Sequence, residues 1–339
     1  MSTLHFMNVG QGDCIWIRHA DAKNTVIDVC NGRSQEPAAK SDQMPLIREM
    51  LEILELRKGV GGNFRQKDYP VNPVEYLKSF GVDSIFRFIL THPDMDHLDG
   101  IGDLFKEFGP TNFWDSENNK EMEEFDEGRY SLADWEFYKS LRDGTNTSAK
   151  RLTLYSGSKG VFYNQAEDGT GGGNGLHVLA PTKQLIAAAN TSGDFNDSSY
   201  VLLYLPNNKR VVIGGDSHDV TWEHILEQHK KDVTDIDLLI APHHGRDSDR
   251  SYEFLDVLKP KLTLFGVARS EHMGYSAWIR RDLEVMTNNQ GNCFVMDFIS
   301  DRMDVYCTNE TFARAYRTEH YRDEPFFSHS FKAWYLKSI

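Results

Sequence analysis

Residues 91–100 read Thr-His-Pro-Asp-Met-Asp-His-Leu-Asp-Gly, and this stretch decides how the rest of the chain is interpreted. It follows an apolar run at 84–90 that predicts a buried strand, and it leads into a helix predicted over 98–108. Four potential metal ligands fall within six residues, namely His92, Asp94, Asp96 and His97. Without a cation, two carboxylates so close together would repel each other. The pattern favours a site for divalent cations over a loop whose Asp96 merely caps the following helix.

Two other apolar runs end in residues of the same chemical type. Val-Val-Ile at 211–213 is followed by two glycines and Asp216, which is placed either to bridge two cations or to serve as an ordinary turn residue. The apolar run at 236–240 is followed by His243 and His244. Adjacent histidines after a strand point in different directions, so one can bind metal while the other faces a substrate. Together the three strand ends predict a dinuclear site along one edge of a sheet sandwich.

The alternation of strands and helices predicts the architecture. Short β-rich runs lie at 3–8, 14–18 and 25–29, and further strands are predicted at 176–180, 200–205, 210–213, 236–240 and 262–265. Helices are predicted from Ser41 or Asp42 to Leu54 and at 73–80, 219–229 and 276–286, and a hairpin over 293–298 and 303–307 ends the pattern. Two packed sheets covered by helices, an α/β four-layer αββα sandwich, accommodate this order.

The motifs resemble, in the same order, those of metallo-β-lactamase-fold hydrolases of the competence-protein (ComEC-like) type. Phe-Met-Asn-Val-Gly-Gln-Gly-Asp at 6–13 is similar to their opening strand and turn, and Val-Ile-Asp at 26–28 to a second strand. Residues 91–100 resemble the HxHxDH signature. Residues 196–202 resemble the NxxS strand, 215–216 the GD motif and 242–245 the HHG motif. The resemblance spans residues 6 to about 275 and implies the metallo-β-lactamase fold.

The resemblance also implies a role for each matching residue. His92 and Asp94 would hold the first metal, Asp96 and His97 the second, and Asp216 would bridge both. His244 is favoured as the remaining ligand of the second site, with His243 beside the scissile group or on a phosphoryl oxygen. His272 would be a further ligand or a phosphate contact, with a histidine of a surface loop as the alternative. The third ligand of the first site is left open: Asn196 is favoured, Ser199 of the same motif is a ligand or substrate contact, and His177 and Asp197 are weaker alternatives.

Asp94 departs from the family pattern, which has histidine at this position. A carboxylate is a harder donor than imidazole, so the preference moves from zinc towards manganese, iron or magnesium without excluding zinc. Because aspartate is still a competent metal ligand, two divalent metal ions are expected. The alternative is a first site that has lost its ability to bind metal.

Residues from about 110 to 175 differ in composition from the rest. Between 115 and 136 there are nine acidic residues against the two bases Lys120 and Arg129, a net charge of −7, which is half of the −14 of the whole chain. We interpret this segment as an insertion in a hydrolase domain over 1–310, with 311–339 as a C-terminal extension. A solvated acidic face is the simplest role; restricting access to a small substrate, or docking a basic protein partner, are alternatives.

Composition excludes several classes of protein. The chain has 339 residues, of which 40% are hydrophobic and 26% charged, a globular balance. No apolar run approaches the roughly 20 residues of a bilayer span, and the start lacks a secretory signal pattern. The scattered Cys14, Cys30, Cys293 and Cys307 suit a reduced, cytoplasmic protein. The oligomeric state has no signature in the sequence.

The expected reaction follows from a paired-metal site. Two cations would activate water, with Asp96 orienting or deprotonating it and His243 or His272 protonating the leaving oxygen or binding phosphate. The first hypothesis is a phosphodiesterase acting on nucleic acid, as a nuclease, or on a nucleotide-derived substrate. The basic residues near the second half of the site, including Arg246 and Arg250, form only a weak cationic lip, and the acidic balance disfavours long nucleic acid. A thioester or lactone hydrolase and a non-catalytic binding module are the alternatives.

Overall fold

The computed structural model describes residues 1–33, 56–122, 125, 129–248, 250–267 and 273–339. The helix predicted between Ser41 and Leu54 lies outside the described residues. Within those ranges, none of the helices combines the length and the apolarity that crossing a bilayer requires.

The described strands form two sheets. In chain order they are β1 (Ser2–Phe6), β2 (Ile15–Arg18), β3 (Asn24–Ile27), β4 (Arg87–Ile89), β5 (Asn112–Trp114), β6 (Lys150–Leu152), β7 (Leu176–Ala180), β8 (Val201–Tyr204), β9 (Val211–Ile213), β10 (Leu238–Ile240), β11 (Leu262–Phe265), β12 (Val285–Thr287), β13 (Phe294–Ile299), β14 (Arg302–Cys307), β15 (Phe327–Ser328) and β16 (Ala333–Ser338). The first sheet has the order β15-β16-β14-β13-β1-β2-β3-β4-β5-β6, and the second β12-β11-β10-β9-β8-β7. The strands β3 to β6 run parallel, as do β9 to β12, so each sheet has a parallel half.

The described helices lie between these strands in sequence. They are α1 (Pro73–Ser79), α2 (Ile101–Phe108), α3 (Leu132–Arg142), α4 (Lys183–Ser192), α5 (Asp219–Gln228), α6 (Phe254–Leu258), α7 (Tyr275–Ile279), α8 (Asn288–Gly291) and α9 (Glu310–His320). Local sequence explains where several begin. At α1, for example, the Asn72 side chain accepts hydrogen bonds from the backbone N–H groups of Val74 and Glu75, and Pro73 occupies the first helical position.

Side chains of the central strands alternate between two cores. Ile15 and Ile17 of β2 pack between the sheets, whereas Trp16 points to the outer face, where it shares a core with α1, α2 and α3. In the second sheet Leu202 faces the first sheet, and Leu203 packs on the outer side with α5, α6 and α7. The layers are therefore helix, sheet, sheet and helix, and the predicted four-layer αββα sandwich is confirmed.

Both segments that the sequence pattern sets apart contribute to the larger sheet. Within 110–175, β5 pairs with β4 and β6 pairs with β5, while α3 packs on the outer face of that sheet. Within 311–339, Phe312 and Tyr316 of α9 join the core between the sheets, and β16 pairs with β14. The domain boundaries near 110, 175 and 310 stay predictions.

The helix predicted over 276–286 is wrong beyond Ile279. The chain turns at Asp282, whose φ of 54° is incompatible with a continuing helix, and then forms β12 alongside β11. Tertiary packing decides this end, because Trp278 is buried and its indole N–H donates to Thr263 Oγ1 at 2.9 Å.

Leu264 provides a test of the inter-sheet core. Its side chain is fully buried on β11 between the sheets. We expect Leu264→Ala to lower the free energy of unfolding by about 2–5 kcal/mol, because the substitution removes buried methyl groups and leaves a cavity. Urea denaturation measures this change.

The control is Leu132→Ala at the start of α3, where the side chain is 44% exposed. This substitution should change stability by no more than about 0.5 kcal/mol. Equal effects of the two substitutions would contradict the assignment of Leu264 to a core between two sheets.

Candidate metal centre

The carboxyl ends of three strands meet at one edge of the sandwich. Asp216 follows β9, and its carboxylate lies among histidines that follow β4 and β10. Asp216 Oδ1 is 3.4 Å from His97 Nε2, and Asp216 Oδ2 is 3.5 Å from His244 Nε2 and 3.9 Å from His92 Nε2. Parallel strands place their carboxyl ends at a common sheet edge. The structure therefore brings these four predicted site residues together.

Asp96 completes this group from the side of the solvent. Its Oδ2 atom is 3.7 Å from His244 Nε2, and its side chain is 27% exposed. Ligand atoms of Asp96, His97 and His244 lie within 4.8 Å of one another, as do those of His92, His97 and Asp216. The metal roles of these residues stay predictions, but their geometry is that of a metal-binding cluster.

A second layer of carboxylates orients the two innermost histidines. Asp28 Oδ2 lies 2.8 Å from His97 Nδ1, and the Asp28 carboxylate also accepts hydrogen bonds from the Thr91 backbone N–H and hydroxyl, both at 2.7 Å. Asp13 Oδ1 lies 3.0 Å from His244 Nδ1. With Nδ1 facing a carboxylate, each ring directs Nε2 at the centre, the arrangement common among histidine metal ligands.

The centre concentrates opposite charges out of water. Burial by itself lowers the pKa of His97, but Asp216 and Asp28 outweigh it and raise this pKa well above its usual value. His244 behaves in the same way, since Asp216 and Asp13 overcome its burial. Burial raises the pKa of Asp216, yet the neighbouring His244 and His97 hold it well below the usual value.

Several atoms at the centre lack the partners that buried polar atoms need. Among the described residues, no hydrogen bond reaches His92 Nε2, His97 Nε2, His244 Nε2 or Asp216 Oδ1, although all four are buried. Buried polar atoms without partners are costly. A divalent cation accepts lone pairs from imidazole nitrogen and carboxylate oxygen, so the donor set fits zinc, manganese or iron.

Gly12 brings the turn after β1 against the ligand loop. Its φ is +91°, and a Cβ at this position would lie 1.8 Å from the backbone oxygen of Asp96. The glycine in the opening motif is therefore required by a close approach of two backbones, and this approach fixes the position of Asp96.

The two consecutive histidines adopt an uncommon backbone conformation. His243 and His244 have φ of 52° and 59°, in the left-handed region. His243 Nδ1 accepts a hydrogen bond from Arg250 Nη2 at 3.0 Å, while His243 Nε2 lies 3.7 Å from Asp216 Oδ2. Because a guanidinium only donates, Nδ1 carries no proton and the neutral ring carries it on Nε2. Burial, together with His244 and Arg250, lowers the pKa of His243 to about 3 despite the Asp216 carboxylate.

Asp94 has a different neighbour from the other predicted ligands. Its Oδ1 atom is 2.5 Å from Lys120 Nζ, and its Oδ2 atom is 3.8 Å from His92 Nε2. The carboxylate thus lies at the edge of the cluster, paired with a lysine from the acidic segment.

The candidates for a third ligand are placed unequally. Ser199 is buried, and its hydroxyl accepts a hydrogen bond from the Asp216 backbone N–H at 3.3 Å, so it supports the position of Asp216. Asn196 lies in a 3-10 turn, Phe195–Ser198, and its backbone N–H donates to Asp194 Oδ1 at 3.2 Å. Asp197 pairs with His218 at 3.1 Å, and His177 lines a separate cleft. His272 lies outside the described residues.

Sequence reasoning assigned no role to four residues that contact the centre. Asp13 and Asp28 are visible in the motifs at 6–13 and 26–28, where an acid at a strand end is a usable signal. The sequence pattern groups Arg250 with basic residues at the surface near the site, but in the structure it is buried and donates a hydrogen bond to His243. Lys120 has no local signal except that it is one of two bases in an acidic stretch.

A cleft of about 510 Å³ opens onto the centre. Asp96 and His244 form part of its wall, and three cationic residues, Lys67, Arg129 and Arg246, line it together with Asp68. Arg129 is the second base of the acidic segment, so this segment contributes positive charge near the site. The cleft is suited to an anionic ligand.

Comparisons with known proteins show distant structural likeness. No protein-family model and no curated protein sequence matches the chain. It is similar to Igni18, a novel metallo hydrolase from the hyperthermophilic archaeon Ignicoccus hospitalis, with 12% identity over 88% of this chain and 100% of that one at a TM-score of 0.45. It is also similar to a diphosphatase from the PhnP family (12%, 87% and 98%, 0.40) and to the metallo-β-lactamase SMB-1 (12%, 72% and 78%, 0.35). Such distant likenesses do not identify the chemistry, which has to be interpreted from the site itself.

The close approach at Gly12 leads to a test. We expect Gly12→Ala to displace the loop that carries Asp96, lowering stability by more than about 2 kcal/mol through strain and overpacking. It should also weaken the binding of Mn²⁺. Thermal unfolding and calorimetric titration measure the two effects.

Gly81→Ala is the matched control. Gly81 has a φ of +70°, but a Cβ there would meet no atom within 4 Å. This substitution should cost only the conformational strain, about 1–2 kcal/mol, and leave Mn²⁺ binding unchanged. If Gly12→Ala behaved like Gly81→Ala in both measurements, the contact between the turn and the loop would have no role.

Proposed function

We propose that this protein is a metal-dependent hydrolase that cleaves phosphodiesters. The observation that carries the proposal is a cluster of buried imidazole and carboxylate atoms that have no hydrogen-bond partner among the described residues, at the wall of a cleft lined by Lys67, Arg129 and Arg246. The cluster is suited to binding a divalent metal ion, and the basic side chains of the cleft are suited to binding a negatively charged phosphate of a substrate.

The residues of the cluster have separable tasks. Asp96, His97, Asp216 and His244 would hold a cation. When bound, it lowers the pKa of water and stabilises oxygens that gain negative charge. Asp13 and Asp28 keep the two histidine rings in place from behind. Asp96 lines the cleft together with His244, so its carboxylate can orient the attacking water and accept its proton.

His243 would act as a hydrogen-bond donor. Arg250 keeps its Nδ1 atom as an acceptor, so the Nε2–H group is available to a phosphoryl oxygen in the centre. With a pKa of about 3 the ring is neutral near pH 7, which favours donation of a hydrogen bond over transfer of a proton. Lys67, Arg129 and Arg246 would bind the charged parts of the substrate farther from the scissile bond.

The cleft favours a nucleotide-derived substrate over long nucleic acid. Its volume of about 510 Å³ is within the range of small-molecule sites. Within the part of the chain that the structure describes, the cleft has three basic residues, which are few for a nucleic-acid track in which phosphate contacts dominate the affinity. A nuclease acting on a short single strand remains the second form of the proposal, and cytoplasmic location, the identity of the metal and a basic protein partner stay predictions.

A panel of chromogenic substrates tests the reaction. With Mn²⁺ or Zn²⁺ the protein should hydrolyse bis-p-nitrophenyl phosphate faster than a thioester or a lactone. Asp96→Ala should abolish this hydrolysis and leave the circular dichroism spectrum unchanged, whereas Asp83→Ala, at an exposed acid outside the cluster, should retain it. Preference for the thioester or lactone would favour the alternative ester hydrolase, and turnover by Asp96→Ala would contradict the assigned role.

His243 allows a finer test of donation. Removing one donor to a developing oxyanion costs about 10²–10³ in kcat. We therefore expect His243→Ala to lose this factor, and His243→Gln, whose amide N–H can replace Nε2–H, to recover much of it. The alkaline limb of the pH–rate profile should be the same in the wild type and in His243→Gln. An alkaline limb that disappears in His243→Gln would show that His243 transfers a proton, because a general acid loses its activity when it is deprotonated.

A further inference from the structure

We infer that Lys120 supplies one of the positive charges of the centre, so that the protein binds one divalent cation where the motifs imply two. This inference rests on the proposed function, since it concerns the same centre. It changes the number of metal ions and adds a lysine to the groups that face the substrate.

Lys120 is held against Asp94 by its surroundings. Its Nζ atom is 2.5 Å from Asp94 Oδ1, and the side chain is 19% exposed. The backbone is fixed on both sides, because Arg142 Nη1 donates to the Lys120 carbonyl at 2.6 Å and the Lys120 N–H donates to Asn118 Oδ1 at 3.2 Å. The ammonium also lies 5.5 Å from the centre of the Phe195 ring. These contacts hold the lysine side chain in a defined position at the site.

The ligand atoms are distributed unevenly between the two expected metal positions. Ligand atoms of Asp96, His97 and His244 converge at one position, where Asp216 lies 3.5 Å from His244 Nε2. At the other position His92 converges with His97 and Asp216, which both positions share. Asp94 has its Oδ1 atom held by Lys120, while its Oδ2 atom lies 3.8 Å from His92 Nε2. Among the described residues, the groups of converging ligand atoms include His92, but none includes Asp94. Lys120 therefore lies at the first metal position, where it binds the carboxylate of the expected ligand Asp94.

The formal charges agree with this arrangement. The Lys120 ammonium is paired directly with the Asp94 carboxylate, so it already neutralises a charge that a cation at the first position would otherwise neutralise. A divalent cation at this position would also lie next to an ammonium that repels it.

The lysine would contribute to binding the substrate. An ammonium has three N–H donors, and the described contact with Asp94 uses one of them. The remaining donors can reach an oxygen of a phosphoryl group bound at the centre. Lys120 would thereby stabilise negative charge on the side opposite the bound cation.

Metal stoichiometry tests the inference without relying on turnover. The full chain is titrated with Mn²⁺ by calorimetry, and its metal content is measured by mass spectrometry after dialysis. We expect one ion per chain in the wild type. Lys120→Met removes the charge but keeps a side chain of similar length, and we expect it to bind two ions per chain. Lys120→Arg should keep the value at one.

Lys183→Met is the control, because the Lys183 ammonium also lies against an aromatic ring, 5.0 Å from the centre of Tyr155, away from the cluster. It should bind one ion. Two ions of similar affinity in the wild type, or one ion in a folded Lys120→Met protein, would overturn the inference while leaving a metal-dependent hydrolase intact. No bound metal in the wild type would instead contradict the proposed function. If Lys120→Met does not fold, the number of ions bound by the wild type still distinguishes one metal site from two.

Discussion

The centre depends on one buried carboxylate. Asp216 is 3% exposed at the end of β9, and it lies within 4 Å of nitrogen atoms from histidines on the loops after β4 and β10. A charge in such a place is tolerated only when opposite charges surround it. Because those partners belong to both sheets, the compensation of Asp216 requires the two sheets to meet at this edge.

The groups behind the ligands explain how the cluster keeps its geometry. Asp28 and Asp13 fix the inner histidine rings, and Arg250 fixes the protonated nitrogen of His243. Gly12 lets the backbone of the first turn contact the ligand loop. The contacts of Asp28, Asp13 and Gly12 join segments that are distant in sequence, so the centre is stabilised by the sandwich as a whole rather than by the ligand loop alone.

The acidic segment places its two bases at the functional site: Lys120 lies against Asp94 and Arg129 lines the cleft. Among its described acids, Asp115 pairs with Arg151 and Glu121 with Arg142. The net charge of a segment therefore does not state which charges lie at the site. What a substrate meets depends on which side chains line the cleft. The segment is attached to the first sheet through its strands β5 and β6.

The four-layer fold and the convergence of His92, Asp96, His97, Asp216 and His244 could be predicted from the sequence, because strand periodicity and the residues after each strand are local properties. The ion pair of Asp94 with Lys120, the hydrogen bond of Arg250 to His243 and the end of α7 could not. The ion pair and the end of α7 depend on which surfaces meet when the chain packs, and nothing next to Lys120 in sequence distinguishes it from a surface lysine. The hydrogen bond of Arg250 depends on the left-handed backbone conformation of His243. The sequence by itself determined which ligand-type side chains each strand end carries. Only the tertiary structure decided their distances and partners, since these depend on packing between segments that are far apart along the chain.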